Sequence, residues 1–587
     1  MYRELMRRPA FALLFAAVWL MVAFGLLVQH WPDTARTVPD ADDAMRLVQV
    51  RAFLAGQNWF DLHEARIAPP FGYDTHWSRL IDAGLAGVLA ILHGFADQAT
   101  AERLLVALWP LLSLLPAMAG VVAIAWRLAG REAAIVALLL VLIGEPAFTQ
   151  FRPGRVDHHN VQIALSILTL AAVAWSDRRQ WCAWAAGGLT GLALGVGLEG
   201  LPYLAGCGAA VALRHVGDAR AAPVLRAYGL AAAAATVAAF LVSVGPDRWT
   251  HAACDAIAVN LVAAVMVGGL ALALLSSFRC ENRTTRAAAV AAAGIATLAV
   301  FAAGDPRCLR GPYAMMDPAV WAIWLDHVPE MQPLLRLFAT SPLVAAAVTA
   351  FPAAALVAVL LLTRERELRR DFAFLVAAAT LALGAATTFV ALKAFSYAMW
   401  FAMPLVAVAV VRLFAAFALT TAAARMVAGL VLTPTALSAG AVLLAEAAGF
   451  EERGGAAPQE RACFAFDSYR PLARLAAGVV ATNVRYGPFV LALTPHSVLA
   501  APYHRLSAAI LTNHHALAAT PEEARAVLLD TPATYVVICR HGSPLGFGAA
   551  ERTDSLWARL QAGAVPDWLE PVAGTTGEPL LAFRIKR

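Results

Sequence analysis

The chain has 587 residues, 60% hydrophobic and only 14% charged, with a net charge of +5 and a mean hydropathy of +0.66. Soluble domains carry about a quarter charged residues, so most of this chain must be solvated by lipid. No basic tract interleaved with aromatics is present, which argues against nucleic-acid binding.

The first apolar run, about Ala10 to Val28, follows Arg3, Arg7 and Arg8. It is too long for a signal-peptide core and lacks a small-residue cleavage site, so it is predicted to be a retained span. Arg-rich short loops face the cytoplasm. They recur at Arg127/Arg131, Arg178/Arg179, Arg214/Arg220/Arg226, Arg279/Arg283/Arg286, Arg364–Arg370 and Arg412/Arg425. Between them lie apolar segments at about 103–126, 132–144, 160–176, 181–198, 200–213, 227–244, 253–276, 286–303, 341–363, 371–391, 396–413 and 426–446. Residues 80–98 carry Asp82, His93 and Asp97 and are predicted to re-enter or lie along the interface. The expectation is thirteen spans over residues 1–448, N-terminus in, C-terminus out, with outer loops at 29–102, 145–160 and 304–340. A linker (449–461) leads to a tail (462–587) in which β-rich runs (Gly478–Ala481, Phe489–Leu493, Ser497–Ala501, Thr534–Cys539) alternate with helical patterns at about 468–477, 506–516 and 521–530. That alternation predicts a small extracytoplasmic α/β domain. The seven cysteines contain no C-x-x-C pair and no recognisable disulfide framework, and most read as buried thiols in apolar spans.

Chemistry concentrates in the three outer loops. Asp40, Asp42 and Asp43 precede an amphipathic pattern that includes Met45, Leu47 and Val48. One acid there caps a helix and meets its dipole; three exceed what a cap needs. Arg46 and Arg51 on the same stretch can bind a phosphate or pair with the acids. Asp157-His158-His159-Asn160 precedes the span near Val161, with Arg152 and Arg155 beside it to favour an anionic ligand. A carboxylate plus an imidazole suits Mn2+ or Mg2+, whereas the bland alternative is a hydrated capping loop. Glu330, in Val328-Pro329-Glu330-Met331-Gln332-Pro333, gains meaning only from that company. Glu199 lies between two spans and is either functional or part of an outer turn. Lys393 is read as snorkelling or as a contact to a lipid-linked phosphate. The tail's His496, Tyr503, His504, Arg505, His514 and His515 show no metal-ligand spacing and read as surface residues.

Taken together, Asp42-Asp43, Asp157-His158-His159 and the Glu330 stretch resemble the GT-C class of membrane glycosyltransferases. They are most similar to the catalytic subunit of oligosaccharyltransferase in its archaeal form, with a DHH motif and an S-V-x-E-x-Q-P-like loop. The order and approximate spacing match over about residues 1–420. The resemblance implies a polytopic helical GT-C fold of about thirteen spans. It also implies a divalent cation held by Asp42, Asp157 and His159 with Glu330 near it. A late-span Arg that contacts the lipid phosphate in that family is missing here, and Lys393 is the substitute. The W-W-D-Y-G acceptor motif is missing too; Arg485-Tyr486-Gly487 is its nearest vestige.

The expected function is transfer of a sugar or glycan from a polyprenyl-phosphate or -diphosphate donor to a glycan, lipid or protein acceptor. Transfer takes place at the outer face of a bacterial inner membrane, by metal-assisted inverting displacement, with Asp42 or Asp43 as base. The alternatives are a flippase for a lipid-linked glycan, which requires charges inside the spans, and a non-catalytic envelope scaffold.

Overall fold

A computed structural model describes residues 9–278, 281–452, 458–542 and 552–587. Arg3, Arg7, Arg8, Arg279, Cys280 and linker residues 453–457 lie outside them. Every predicted span falls on a helix. These are α1 (Pro9–His30), α4 (Gln98–Leu142), α5 (His159–Trp175), α6 (Gln180–Val196), α7 (Leu201–Gly217), α8 (Ala222–Ser243), α9 (Val259–Leu275), α10 (Arg283–Gly304), α11 (Pro342–Leu362), α12 (Phe372–Val390) and α13 (Phe395–Ala416), followed by the pair α14 (Ala422–Val431) and α15 (Pro434–Ala447). Among the described residues seven helices reach spanning length and hydropathy unaided, and the last pair adds one more, bent by 53°. The chain is a multi-pass membrane protein. The 45-residue α4 holds two predicted spans: it breaks at Ala129 and Gly130, where Gly130 takes φ +77, a left-handed angle that only glycine adopts cheaply.

The first loop holds two helices outside this set, α2 (Ala41–Leu54) and α3 (Arg79–His93). At 1.5 Å per residue α3 is about 22 Å long, short of a bilayer core of about 30 Å. Its start is anchored by Asp82 among outer-loop residues, in agreement with a segment that does not cross.

Charged residues gather at the two ends of the bundle. At one end Arg127 pairs with Asp177 and Asp371, Arg425 with Glu132 and Arg412 with Glu365, so loops assigned to the same side do meet. At the other end the three acidic loops meet the tail.

The first loop holds a short antiparallel pair, β1 (His63–Glu64) and β2 (Tyr73–Asp74), and the tail carries five strands: β3 (Val479–Ala481), β4 (Ser497–Val498), β5 (Ala533–Cys539), β6 (Leu569–Pro571) and β7 (Leu580–Ile585), in the order β4-β3-β5-β7-β6. The β4-β3-β5 half is parallel and the β5-β7-β6 half antiparallel. Two expectations fail here. Phe489–Leu493 is helical (Gly487–Leu493, with Pro488 in its first turn), because a short apolar run is equally a buried helix and a buried strand. The 468–477 pattern is helical only in its first half, where a 3-10 turn (Phe466–Tyr469) runs into one α-helical turn (Arg470–Ala473).

Nor is the tail detached. Ile67 of the first loop bridges Val498, with Ala68 N donating to Val498 O and Val498 N to Arg66 O, both at 2.8 Å. The Arg66 guanidinium donates to the carbonyls of Leu491, Thr494 and His496. Buried Met45, Trp77, Tyr503 and Val536 belong to one continuous apolar core.

The cysteine expectation is also corrected. Cys254 bonds Cys308 and Cys463 bonds Cys539. Spacing alone could not show this, because each bridge joins segments 54 or 76 residues apart; Cys254 lies in a loop ahead of α9, not in a span. All four bonded cysteines lie at the acidic-loop end, while Cys182 and Cys207 are free and buried in helices. Thiol labelling of the denatured, unreduced protein should therefore tag Cys182 and Cys207 and spare Cys254, Cys308, Cys463 and Cys539. Labelling of those four without reductant would contradict the pairing.

Candidate functional site

Asp40 opens α2 as its N-cap, accepting from Asp42 N at 2.8 Å. Asp42 and Asp43 follow in the first turn, where the helix dipole favours carboxylates. The three acids then diverge in role. Asp43 is fully buried; it accepts from Val156 N at 2.8 Å and Asp157 N at 3.1 Å, and its second oxygen pairs with Arg155 at 2.9 Å. Arg155 also pairs with Asp40 and donates to Gln150 at 2.7 Å. The first loop thus grips the backbone of the DHH loop directly. Gly154 permits the approach: it takes φ +105, and a Cβ there would sit 2.7 Å from Pro39 Cδ.

Asp157 is 2% exposed. One oxygen accepts from Arg46 at 3.2 Å and lies 2.5 Å from His158 Nδ1. The other lies 3.1 Å from His159 Nε2 without hydrogen-bond geometry, so it has no donor. His159 points its Nδ1 at Glu199 (2.8 Å), and Lys393 closes on the other Glu199 oxygen at 2.7 Å. A carboxylate on one imidazole nitrogen fixes the tautomer and leaves the other nitrogen free to ligate. Glu330 lies within electrostatic reach of Asp42, His159 and Lys393. The loops at 40–43, 157–159, 199 and 330 therefore converge.

Charge is unevenly balanced. Burial, then Asp40, Asp157 and Glu330, push the Asp42 carboxyl well above the usual range. Burial pushes Asp43 to about 7 against the pull of Arg155. For Asp157 burial acts upward too, but His158, His159 and Arg46 outweigh it and hold the carboxyl well below the usual range. His159 and Lys393 do the same for Glu199. Like-charged carboxylates around Asp42, an Asp157 oxygen without a donor and a tethered imidazole together fit a divalent cation.

Several expected roles shift. Asp43 is engaged on all sides by backbone and Arg155, so it cannot reach an acceptor proton. Arg46 is fully buried, held by Asp82 at 2.7 Å and by Asp157 and lying 4.5 Å from the Trp77 ring centre; it aligns Asp157 and offers no free face to a phosphate. Arg155 serves Asp40 and Asp43. Arg51 pairs with Glu102 and the Ala492 carbonyl, and Arg152 with Glu145. Lys393 stays at the site through Glu199. Arg485 pairs with Glu460 of the linker and stacks on Phe464 of the tail.

Sequence reasoning missed Asp82, which is fully buried between Arg46 and Arg79. Its signal was a carboxylate in an otherwise apolar helix, weighed only as an obstacle to crossing. It also missed Trp77, whose single indole carried no signal. Arg155→Ala leaves the fully buried Asp43, and the partly exposed Asp40, without their cation. It should cost about 3–5 kcal/mol of stability, read as a lowered unfolding midpoint in detergent; an unchanged midpoint would contradict the clamp.

By sequence the chain matches no family model and no curated protein. By structure it is similar to the archaeal oligosaccharyltransferase AglB from Archaeoglobus fulgidus in complex with an inhibitory peptide and a dolichol-phosphate. That match has a TM-score of 0.66 at 13% identity, over 90% of this chain and 69% of that one. An Archaeoglobus fulgidus oligosaccharyltransferase in complex with Zn and sulfate matches with a TM-score of 0.60 at 14% identity, over 90% and 68%. One tethered to an acceptor peptide containing the NVT sequon gives 0.63 at 13%, over 90% and 69%. The chain is built on the GT-C fold of membrane glycosyltransferases, in the form seen in the archaeal oligosaccharyltransferase.

Proposed function

We propose that this chain is a membrane glycosyltransferase that moves a sugar or glycan from a polyprenyl-phosphate or -diphosphate carrier to an acceptor at the outer face of a bacterial inner membrane. The observation that carries the proposal is the convergence of Asp42, Asp157, His159 and Glu330 beyond the ends of the spans. Buried carboxylates of like charge cost free energy unless something cationic meets them. The GT-C fold and the dolichol-phosphate bound to the similar AglB support the choice of donor class.

Asp42, Asp157, His159 and Glu330 would hold Mn2+ or Mg2+. The cation would supply electrostatic stabilisation of the charge that develops on the departing phosphate. Glu199 orients His159, Arg46 orients Asp157, and Arg155 with Asp43 holds the loop that carries both. Asp42 is the acid of its cluster whose carboxylate accepts no hydrogen bond, so it is available as base. The acceptor oxygen attacks the anomeric carbon as the bond to the carrier phosphate breaks. The acceptor proton passes to Asp42, and the bonding pair leaves on the phosphate oxygen. A single displacement inverts the anomeric centre.

The disulfides favour this sidedness. Both lie at the same end as the site, and disulfides persist in oxidising compartments such as the periplasm.

Purified protein in nanodiscs, given a panel of polyprenyl-linked sugars with and without Mn2+, should yield transfer products by mass spectrometry. Chelation should abolish them and Mn2+ restore them. Asp157→Ala should lose transfer by a factor of about a thousand or more, the scale set by removing a main electrostatic group, while remaining in the membrane. Full activity of Asp157→Ala would end the metal proposal.

A further inference from the structure

We infer that Tyr503, contributed by the tail, is a substrate-contact residue of this site, its phenolic hydroxyl donating to an oxygen of the donor's sugar–phosphate group. This rests on the glycosyltransferase reading above.

Tyr503 is 3% exposed, yet its hydroxyl has no hydrogen-bond partner. Buried phenols ordinarily find one, because an unmet donor costs free energy. Its ring stacks on Tyr73 (centroids 5.0 Å, planes 13° apart) and meets the edge of Trp77 at 5.4 Å. Trp77 in turn lies 6.1 Å from the His158 ring and under Arg46. One aromatic ring therefore separates Tyr503 from the DHH loop, and the charges of Asp42, Asp157 and Asp40 all act on its hydroxyl. A phenol within electrostatic reach of carboxylates is a donor, not an acceptor, and a sugar or phosphoryl oxygen near those carboxylates is the acceptor that suits it.

The residues after it are pinned from a separate loop. Asp255 takes His504 Nε2 at 2.6 Å and the Arg505 guanidinium at 2.7 and 2.8 Å. Asp255 itself follows Cys254, which is bonded to Cys308. The tail, the loop ahead of α9 and the loop after α10 are thereby braced beside one hydroxyl, the kind of support that pre-organises a contact.

The test uses full-length protein in nanodiscs and two probes, decaprenyl phosphate and a decaprenyl-phosphate-linked sugar. Tyr503→Phe keeps the ring stack and removes only the hydroxyl. Tyr486→Phe is the control, since that buried tail phenol also lacks a partner but is influenced by Glu460 and Arg485. Tyr503→Phe should bind at least one probe roughly tenfold more weakly, the scale of a hydrogen bond to a charged or strongly polar oxygen. Its melting temperature and Mn2+ binding should stay unchanged, and Tyr486→Phe should bind as wild type does. Weakening for both probes places the contact on phosphate; weakening only for the glycosylated probe places it on the sugar. Wild-type affinity of Tyr503→Phe for both probes overturns the inference and leaves the glycosyltransferase reading intact. Failure of the wild-type protein to bind either probe overturns both.

Discussion

The site depends on one buried guanidinium. Arg155 sits between Asp40 and Asp43, and Asp43 reaches past it to the backbone of Val156 and Asp157. Through that pair the first outer loop fixes the position of a residue more than a hundred places along the chain. A second guanidinium, Arg46, does the complementary work by joining Asp157 to Asp82. Buried ions are costly to strip of water and severe to leave unpaired. The interlock therefore has few alternative arrangements, which is what a site assembled from loops requires.

The polarity of the bundle follows from the same economy of charge. Its helices carry their ionisable residues at the ends, with Arg127, Asp177 and Asp371 gathered at one and the acidic loops at the other. The tail completes the second end. Its sheet accepts Ile67 from the first loop, and its apolar core is continuous with that of the loops. The tail is therefore packed into the loop end of the bundle and is not an appended module.

Much of this was legible in sequence. Hydropathy placed the apolar helices, because lipid demands long apolar runs. The three acidic clusters stood out because acids beside lipid are rarely idle. Their internal differences did not show: Asp40, Asp42 and Asp43 are chemically alike in sequence, and only contacts distinguish the cap Asp40, the brace Asp43 and the unengaged Asp42. Arg46 and Arg155 looked like phosphate binders because a one-dimensional chain hides that Asp82 and Asp43 claim them first. The disulfides and Tyr503 were hidden for the same reason. Their partners come from loops far apart in the chain, and the pattern of Cys or Tyr alone carries no distance. In the tail, five apolar residues at 489–493 fit helix or strand equally, and Pro488 in the first turn decided for helix.

The central claim is that Asp42, Asp157 and His159 meet at one cation, with Glu330 beside them. Crystals or frozen-hydrated particles of the protein in Mn2+ test it most directly, by anomalous scattering at the Mn edge or by density at the site. The account predicts one metal peak within bonding distance of oxygens of Asp42 and Asp157 and of His159 Nε2. No peak there at saturating Mn2+, or a peak bound elsewhere with Asp42 turned away, would contradict it.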